Sequence, residues 1–255
     1  MLIDLEKSAS DLLLETEVCI VGAGAAGVAL ARDLTKAGRE VCLLEGGGMD
    51  YEANTQALFE GRNVGMEYYD LDHSRLRFFG GTTNIWGGRS IPLDPIDFEK
   101  RDWVPHSGWP ITLDDLQKYY RIAHDSLELG EYDYEADNWK KLGLNPLDFD
   151  PQKIATRFWR FDHFAERFNS QRSEDLVKAQ NIQVVLHANT VGLQATDNAS
   201  GISRVDATSM DGRKLQVKAK HYVLACGAIE NARLLLASNN VETNGLGNQY
   251  DQLGR

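Results

Sequence analysis

Three glycines constrain this chain more than any other feature. Gly22, Gly24 and Gly27 form a G-x-G-x-x-G run that leaves an apolar stretch, Glu17–Val21, and opens a segment of helical composition, Ala25–Ala37, closed by Gly38. A second apolar stretch, Val41–Leu44, follows and ends at Glu45, 23 residues beyond Gly22. Strand, glycine-rich turn, helix and strand in this order make the unit of a parallel, doubly wound α/β sheet.

Each position has a mechanical reason. Gly22 permits the tight turn from strand to helix, Gly24 has no Cβ to collide with a phosphate, and Gly27 lets helix and strand approach closely. The first helical turn, beginning at Ala25 and Ala26, offers unpaired amides and partial positive charge to an anion. A carboxylate at Glu45 accepts hydrogen bonds from ribose hydroxyls and repels a 2′-phosphate. A lone G-x-G-x-x-G is weak, but this context makes it a dinucleotide site.

Composition sharpens what the partner is not. The chain has 27 basic against 38 acidic residues, a net charge of -11. Nucleic acid and anionic membranes both need a cationic surface, so neither is expected as a partner. A dinucleotide remains compatible, because local backbone amides hold its phosphates. Cys19, Cys42 and Cys226 form no CxxC, and no metal-ligand spacing accompanies them, so neither a disulfide framework nor a metal site is expected. The N-terminus carries acids where a signal peptide needs bases, and no apolar run reaches the ~20 residues of a membrane span. The expected location is cytoplasmic.

Along the chain, residues 3–14 alternate acids with leucines and predict a short amphipathic helix. A long aperiodic stretch from Gly46 to about Gly108 is rich in Gly, Asp and aromatics, a composition that favours a functional loop. Thr112 caps a solvent-facing helix running to about Leu129, and residues 131–170 are irregular. A helix at 174–179 precedes strands whose turns fall at Asn198–Gly201 and Asp211–Gly212, a β-meander. Its last strand, His221–Ala225, leads through Gly227 into a helix from Ala228 to Ser238.

Further motifs recur in a recognisable order. Beyond the first glycine run and the Gly46-Gly47-Gly48 that follows Glu45 stands Phe79-Gly80-Gly81-Thr82-Thr83-Asn84-Ile85-Trp86-Gly87-Gly88. Then come Pro92-Leu93-Asp94, Gly108-Trp109-Pro110-Ile111, the stretch Val185–Val191, and Val223–Glu230 with Arg233-Leu234-Leu235. Spread over about residues 17–255, these resemble the FAD-binding part of the glucose-methanol-choline (GMC) oxidoreductase family. The resemblance implies that Gly80–Gly88 lie along the pyrophosphate and the isoalloxazine ring. It implies that the backbone at Thr190 and Val191 brackets the adenine, and that Ala225, Cys226 and Gly227 form a second nucleotide-contacting turn. Trp86 stands where the family's more familiar form has asparagine, which brings the chain closer to the pyranose-oxidase-like branch. Covalently flavinylated members of that branch carry a histidine where Ile85 stands, so non-covalent FAD is expected.

The resemblance also implies a doubly wound, Rossmann-like FAD domain with a β-meander, residues 1–110 and 175–255, interrupted at 111–174 by part of a substrate or cap domain. The implied activity is oxidation of a CH–OH group of an alcohol or sugar, with hydride passing to flavin N5. The family's catalytic histidine belongs to a C-terminal region beyond residue 255, so the present chain is expected to bind FAD weakly and not to turn over. Of His73, His106, His124, His163, His187 and His221, none matches that catalytic pattern, and His106 is the one held as a site candidate. His124 sits on the solvent-facing helix that starts at Thr112. Two other readings stay open: an NAD-dependent dehydrogenase, against which the long loop after Glu45 counts, and a non-catalytic binding protein on an FAD-type fold. The substrate, the electron acceptor and the oligomeric state are not specified.

Overall fold

The computed structural model describes residues 1–135, 140–145, 147–150, 152–162 and 168–255. The chain divides into two compact units, residues 1–85 with 166–255, and residues 86–165.

The first unit is built on a seven-stranded sheet. In chain order its strands are β1 (Leu2–Asp4), β2 (Leu12–Val21), β3 (Val41–Leu44), β6 (Ile182–Leu186), β7 (Asn189–Ala195), β8 (Ile202–Thr208) and β9 (Lys214–Leu224); β4 (Arg89–Ser90) and β5 (Arg160–Phe161) belong to the second unit. The spatial order is β1-β6-β3-β2-β9-β8-β7. The β1, β6, β3, β2 and β9 strands run parallel, and β9, β8 and β7 form the antiparallel meander. This is the α/β, doubly wound arrangement that the motifs imply.

Burial explains the strand sequences. All four residues of β3 are buried, as a parallel strand with neighbours on both sides and α1 (Ala25–Lys36) packed against it must be. The β2 strand has two halves. Leu12, Leu14 and Thr16 alternate with exposed Leu13 and Glu15, whereas Val18–Val21 are buried throughout. The alternating half pairs with the start of β9, Leu12 opposite Leu215 and Leu14 opposite Val217.

That pairing corrects two expectations. Residues 3–14 do not form an amphipathic helix: they give β1, a single 3-10 turn at Leu5–Lys7, and the start of β2. Their leucines satisfy period two as well as helical spacing, and an available strand partner decides between them. For the same reason the last strand begins at Lys214 rather than at His221.

In the second unit, β4 pairs with β5 antiparallel, and the helix Leu113–Ser126 starts at the expected N-cap. The Thr112 hydroxyl accepts from the Asp115 amide, and the Asp115 carboxylate accepts from the Thr112 amide. His124 does not face solvent. It is buried, with Nε2 2.7 Å from the Tyr134 hydroxyl and its ring edge-on to Tyr132 and Tyr134. An aromatic cluster, which helical spacing alone does not reveal, takes its imidazole.

Candidate functional site

Where β2 ends, Gly22 adopts φ +102° and the chain turns into α1. A Cβ on Gly27 would lie 1.9 Å from the Gly22 carbonyl oxygen, so this glycine is required for strand and helix to meet. Gly24 differs: a Cβ there meets nothing within 4 Å. Gly24 is the N-cap of α1, and no side chain caps the first turn. Its amides are left for another acceptor.

Other segments are stitched to this turn by main chain. The Ala225 amide donates to Val21 O at 2.7 Å, bringing in the end of β9. Gly80 N donates to Ala23 O at 2.8 Å and Phe79 N to Gly48 O at 3.0 Å, which seat the stretch 75–83 beside both glycine turns. Glu45, buried at the end of β3, accepts from the Ala23 amide through one carboxylate oxygen and from the Gly47 amide through the other, both at 3.0 Å. Each oxygen keeps a second acceptor site, so the carboxylate is oriented without being saturated.

These segments enclose a cavity of about 430 Å³ within the first unit. Of the residues singled out in the sequence, Gly22, Gly24, Ala25, Ala26, Glu45, Gly46, Gly81, Thr82, Thr83, Thr190, Ala225, Cys226 and Gly227 line it. Gly27, Gly47, Gly80, Asn84 and Val191 do not line it. Gly27, Gly47 and Gly80 supply the close approaches just described, and the Asn84 amide donates to Phe79 O and Gly81 O, bracing its own turn. Val191 is exposed. Trp86, Gly87 and Gly88 fall in the second unit, where the Asp162 amide donates to Gly88 O as a continuation of the β4–β5 pairing.

Motif reading missed three of the cavity's walls, Phe59, Arg75 and Arg77, and quoted Glu230 and Arg233 without giving either side chain a role. Glu230 accepts from Arg75 Nη1 at 3.1 Å and from Arg233 Nε at 2.8 Å. Burial alone would raise the Glu230 carboxyl, but the two guanidiniums outweigh it and hold it below the usual carboxylate range. The Cys226 thiol donates to Val21 O at 3.1 Å, and burial together with the Glu45 charge pushes it up to about 12. It is a packed thiol, not a nucleophile. Among the described residues, no histidine lines the cavity. His106, exposed at φ +59°, lies in the second unit, and His163 lies outside the described residues. No cluster of three or more His, Cys, Asp or Glu among the described residues is arranged to hold a metal ion.

Residues 17–240 match the family model for FAD-dependent oxidoreductases. The chain belongs to that family. Its cofactor is the flavin dinucleotide, in preference to a nicotinamide one.

Two curated relatives align along 94% of the chain. They are 6'''-hydroxyparomomycin C oxidase of Streptomyces lividus, 27% identical with 53% of that protein covered, and paromamine 6'-oxidase of Streptomyces fradiae, 26% identical with 52% covered. The chain therefore spans about half the length of the curated relatives it matches. Among solved structures, pyridoxine 4-oxidase from Mesorbium loti superposes with a TM-score of 0.56 at 18% identity, covering 88% of this chain and 52% of that one. A formate oxidase gives 0.50 at 15% identity, covering 90% and 48%. These likenesses speak for the fold. No helix among the described residues is long and apolar enough to cross a membrane.

Proposed function

We propose that this chain is the FAD-holding part of a GMC-like oxidoreductase, nearest the pyranose-oxidase-like branch, that oxidises a CH–OH group of an alcohol or sugar. The observation that carries the reading is the cavity that starts at the uncapped helix amides of α1 and runs past the oriented carboxylate of Glu45. That sequence of groups matches a diphosphate followed by a ribose.

The residues divide the work. Amides at Gly24–Gly27 take the phosphates, Glu45 takes the ribose hydroxyls, and the stretch Gly80–Thr83 covers the diphosphate from the other side. Bound flavin supplies the hydride acceptor, and the protein supplies its placement. Ile85 has no nucleophilic atom, so the flavin is held without a covalent bond. In this reading the FAD domain is discontinuous, residues 1–110 and 175–255, with 111–174 in a substrate or cap domain; the two compact units support the discontinuity. The names of the two Streptomyces relatives support a sugar-type hydroxyl as the substrate. Three free cysteines, two of them opposed at Cys19 and Cys42 on neighbouring strands, support a reducing cytoplasm.

Flavin uptake tests the reading. The purified chain, refolded with excess FAD, acquires a flavin spectrum, and acid precipitation leaves the yellow colour in the supernatant. Gly24→Val keeps the fold, because its branch projects into open space, and abolishes the colour by filling the phosphate path. Well-folded wild-type protein that never takes up flavin overturns the proposal.

A further inference from the structure

Outside the cavity, behind the turn that follows Glu45, stands a cluster of charged side chains that touches no part of the proposed ligand path. His187 joins β6 to β7 at φ +53° and is buried. Its Nδ1 lies 2.7 Å from Asp4 Oδ1 at the end of β1. Its Nε2 lies 2.9 Å from Glu52 Oε2, at the start of the short helix Ala53–Gln56. A ring held by carboxylates at both nitrogens has to donate twice, and only the protonated imidazole carries two N–H groups.

The neutral ring keeps one donor, and the surroundings decide which carboxylate keeps it. The Asp4 side chain is 16% exposed and makes the shorter contact, whereas Glu52 is 43% exposed. Moving Asp4 away would strand a half-buried charge, but Glu52 turns into water at little cost. The proton therefore stays on Nδ1, the Nε2 lone pair faces Glu52, and that carboxylate leaves. Nothing else holds it firmly, since the Thr55 hydroxyl stands 3.5 Å away. The other charges around the ring do not replace the lost bond. Lys7 ion-pairs with the second oxygen of Asp4, Glu6 lines the same small pocket as Glu52 and adds negative charge, and the Glu45 carboxylate is taken by the Ala23 and Gly47 amides.

Two routes carry the release of Glu52 to the cavity wall. A Cβ on Gly48 would lie 2.6 Å from Glu52 Oε1 and 3.1 Å from His187 Nε2, so the contact between the two side chains rests on the Gly48 backbone. Gly48 O accepts from Phe79 N, which leads into Gly80–Thr83. The second route is the short helix itself. Its buried Gln56, whose amide N donates to Glu52 O, donates from its side chain to Asp72 O at 2.5 Å and Arg75 O at 2.7 Å and accepts from Arg77 N at 3.0 Å. Arg75 and Arg77 line the cavity, so the residue at the head of this helix helps to set where that wall stands.

We propose that Glu52 and His187 form a proton-operated latch on the cavity wall, closed while the imidazole is charged, so that the chain holds its flavin more tightly in mild acid than in mild base. This rests on the dinucleotide reading of the cavity given above and adds a means of regulation to it. Burial pulls the imidazole pKa down, but the two carboxylates outweigh it, so the latch opens as pH rises through a value above the ordinary histidine range. The coupling is reciprocal: bound flavin keeps the latch shut, and FAD binding draws protons from solution.

The test is the dissociation constant for FAD, read by flavin fluorescence on the purified chain in steps from about pH 6 to about pH 9, with circular dichroism confirming the fold at each step. Wild-type affinity is expected to fall about tenfold over that range, the effect of one hydrogen bond to a charged group. Glu52→Gln pairs with either form of the ring, and His187→Asn has no group to titrate, so both are expected to change by less than about twofold. Glu52→Gln is also expected to bind more tightly than wild type at the alkaline end. Wild-type protein that binds FAD equally well at every pH overturns the proposal and leaves the dinucleotide reading standing. Either variant keeping the wild-type slope overturns it too, because the titrating group then lies elsewhere. Glu52 is partly exposed, so Glu52→Gln decides the question alone if His187→Asn does not fold. Wild-type protein that takes up no FAD at any pH brings down both readings.

Discussion

At the Gly22–Gly27 end of the cavity the chain offers main chain and open space. At the Arg77 end it offers charged side chains gathered from distant segments: Arg77 meets Asn189 across 112 positions, and Arg75 meets Glu230 across 155. The first end is one turn of backbone whose geometry is set by absent side chains. The second is an assembly that exists only once β7, the helix Ala228–Ala237 and the stretch 75–83 have come together. One end is therefore intolerant of added atoms, and the other of removed ones.

The sharpest break of this contrast is Gly27→Ala. A methyl 1.9 Å from a carbonyl oxygen forces helix and strand apart, and we expect a loss of about 3 kcal/mol, the upper range for overpacking. Chemical denaturation measures it. Gly24→Val, three residues earlier, should leave the midpoint almost unchanged while removing flavin binding. Equal stability loss at both positions contradicts the assignment of Gly27 to packing and Gly24 to ligand space.

At the other end the corresponding break is Glu230→Ala. It leaves Arg75 and Arg233 facing each other without their shared carboxylate. Removing one partner of a buried ion pair costs about 3 kcal/mol or more, and the half-exposed Arg233 side chain reduces that to about 2. Because the Glu230 carboxyl titrates below its ordinary value, its contribution is present at neutral pH and is lost as pH falls through that lowered value. Wild type and variant should therefore converge in stability in acid. A difference that persists to pH 2 assigns the loss to packing instead.

The same contrast explains what the sequence disclosed. Gly22, Gly24, Gly27 and Glu45 were legible because their roles follow from spacing along one strand–helix–strand unit, where local geometry is the whole constraint. The β-meander was legible from its turns, Asn198–Gly201 and Asp211–Gly212. Arg75 and Arg77 carry no such spacing: an arginine in an aperiodic loop looks solvated until its partner is known, and Glu230, though it stands in the Val223–Glu230 motif, shows its role only beside Arg75. The pairing of Leu12 with Leu215 was hidden similarly, since leucines at 12, 13 and 14 suit a helix until a strand 200 residues away lies alongside. His124 became legible only through Tyr132 and Tyr134. Local rules therefore find the backbone-built end of the cavity, and only tertiary contacts find the side-chain-built end.

Between the two ends, the turn after Glu45 is held from behind by His187. Its amide donates to Gly47 O at 3.0 Å, and its ring nitrogens lie 2.7 Å from Asp4 and 2.9 Å from Glu52. Burial pulls the imidazole pKa down, but the two carboxylates outweigh it and raise it above the ordinary histidine value, while Lys7 ion-pairs with the same Asp4. A raised folded-state pKa stabilises fully below about pH 6.5, and that stability is lost as pH rises through the raised value. The wild-type melting midpoint should therefore fall as pH rises from about 6 towards 9. His187→Asn, which tolerates the φ of +53°, should flatten that slope. Parallel curves for the two proteins leave the histidine no electrostatic role in holding this turn.

The smallest expected effect lies at Cys226, where the two ends of the cavity share a wall. A cysteine in a nucleotide cavity invites a reactive role, but reactivity belongs to the thiolate. Here the thiol is largely buried and has the Glu45 charge nearby, which favour the protonated form and push its pKa up to about 12, and it donates to Val21 O. At pH 8 only about one part in ten thousand is thiolate. Cys19 and Cys42 are fully buried, so they add no fast phase of their own. We therefore expect no rapid reaction of the native chain with a disulfide reagent at pH 8, and three equivalents on denaturation. One fast equivalent in the native state, suppressed by FAD, would show instead that the wall opens at Cys226, and that the cavity's two ends move independently.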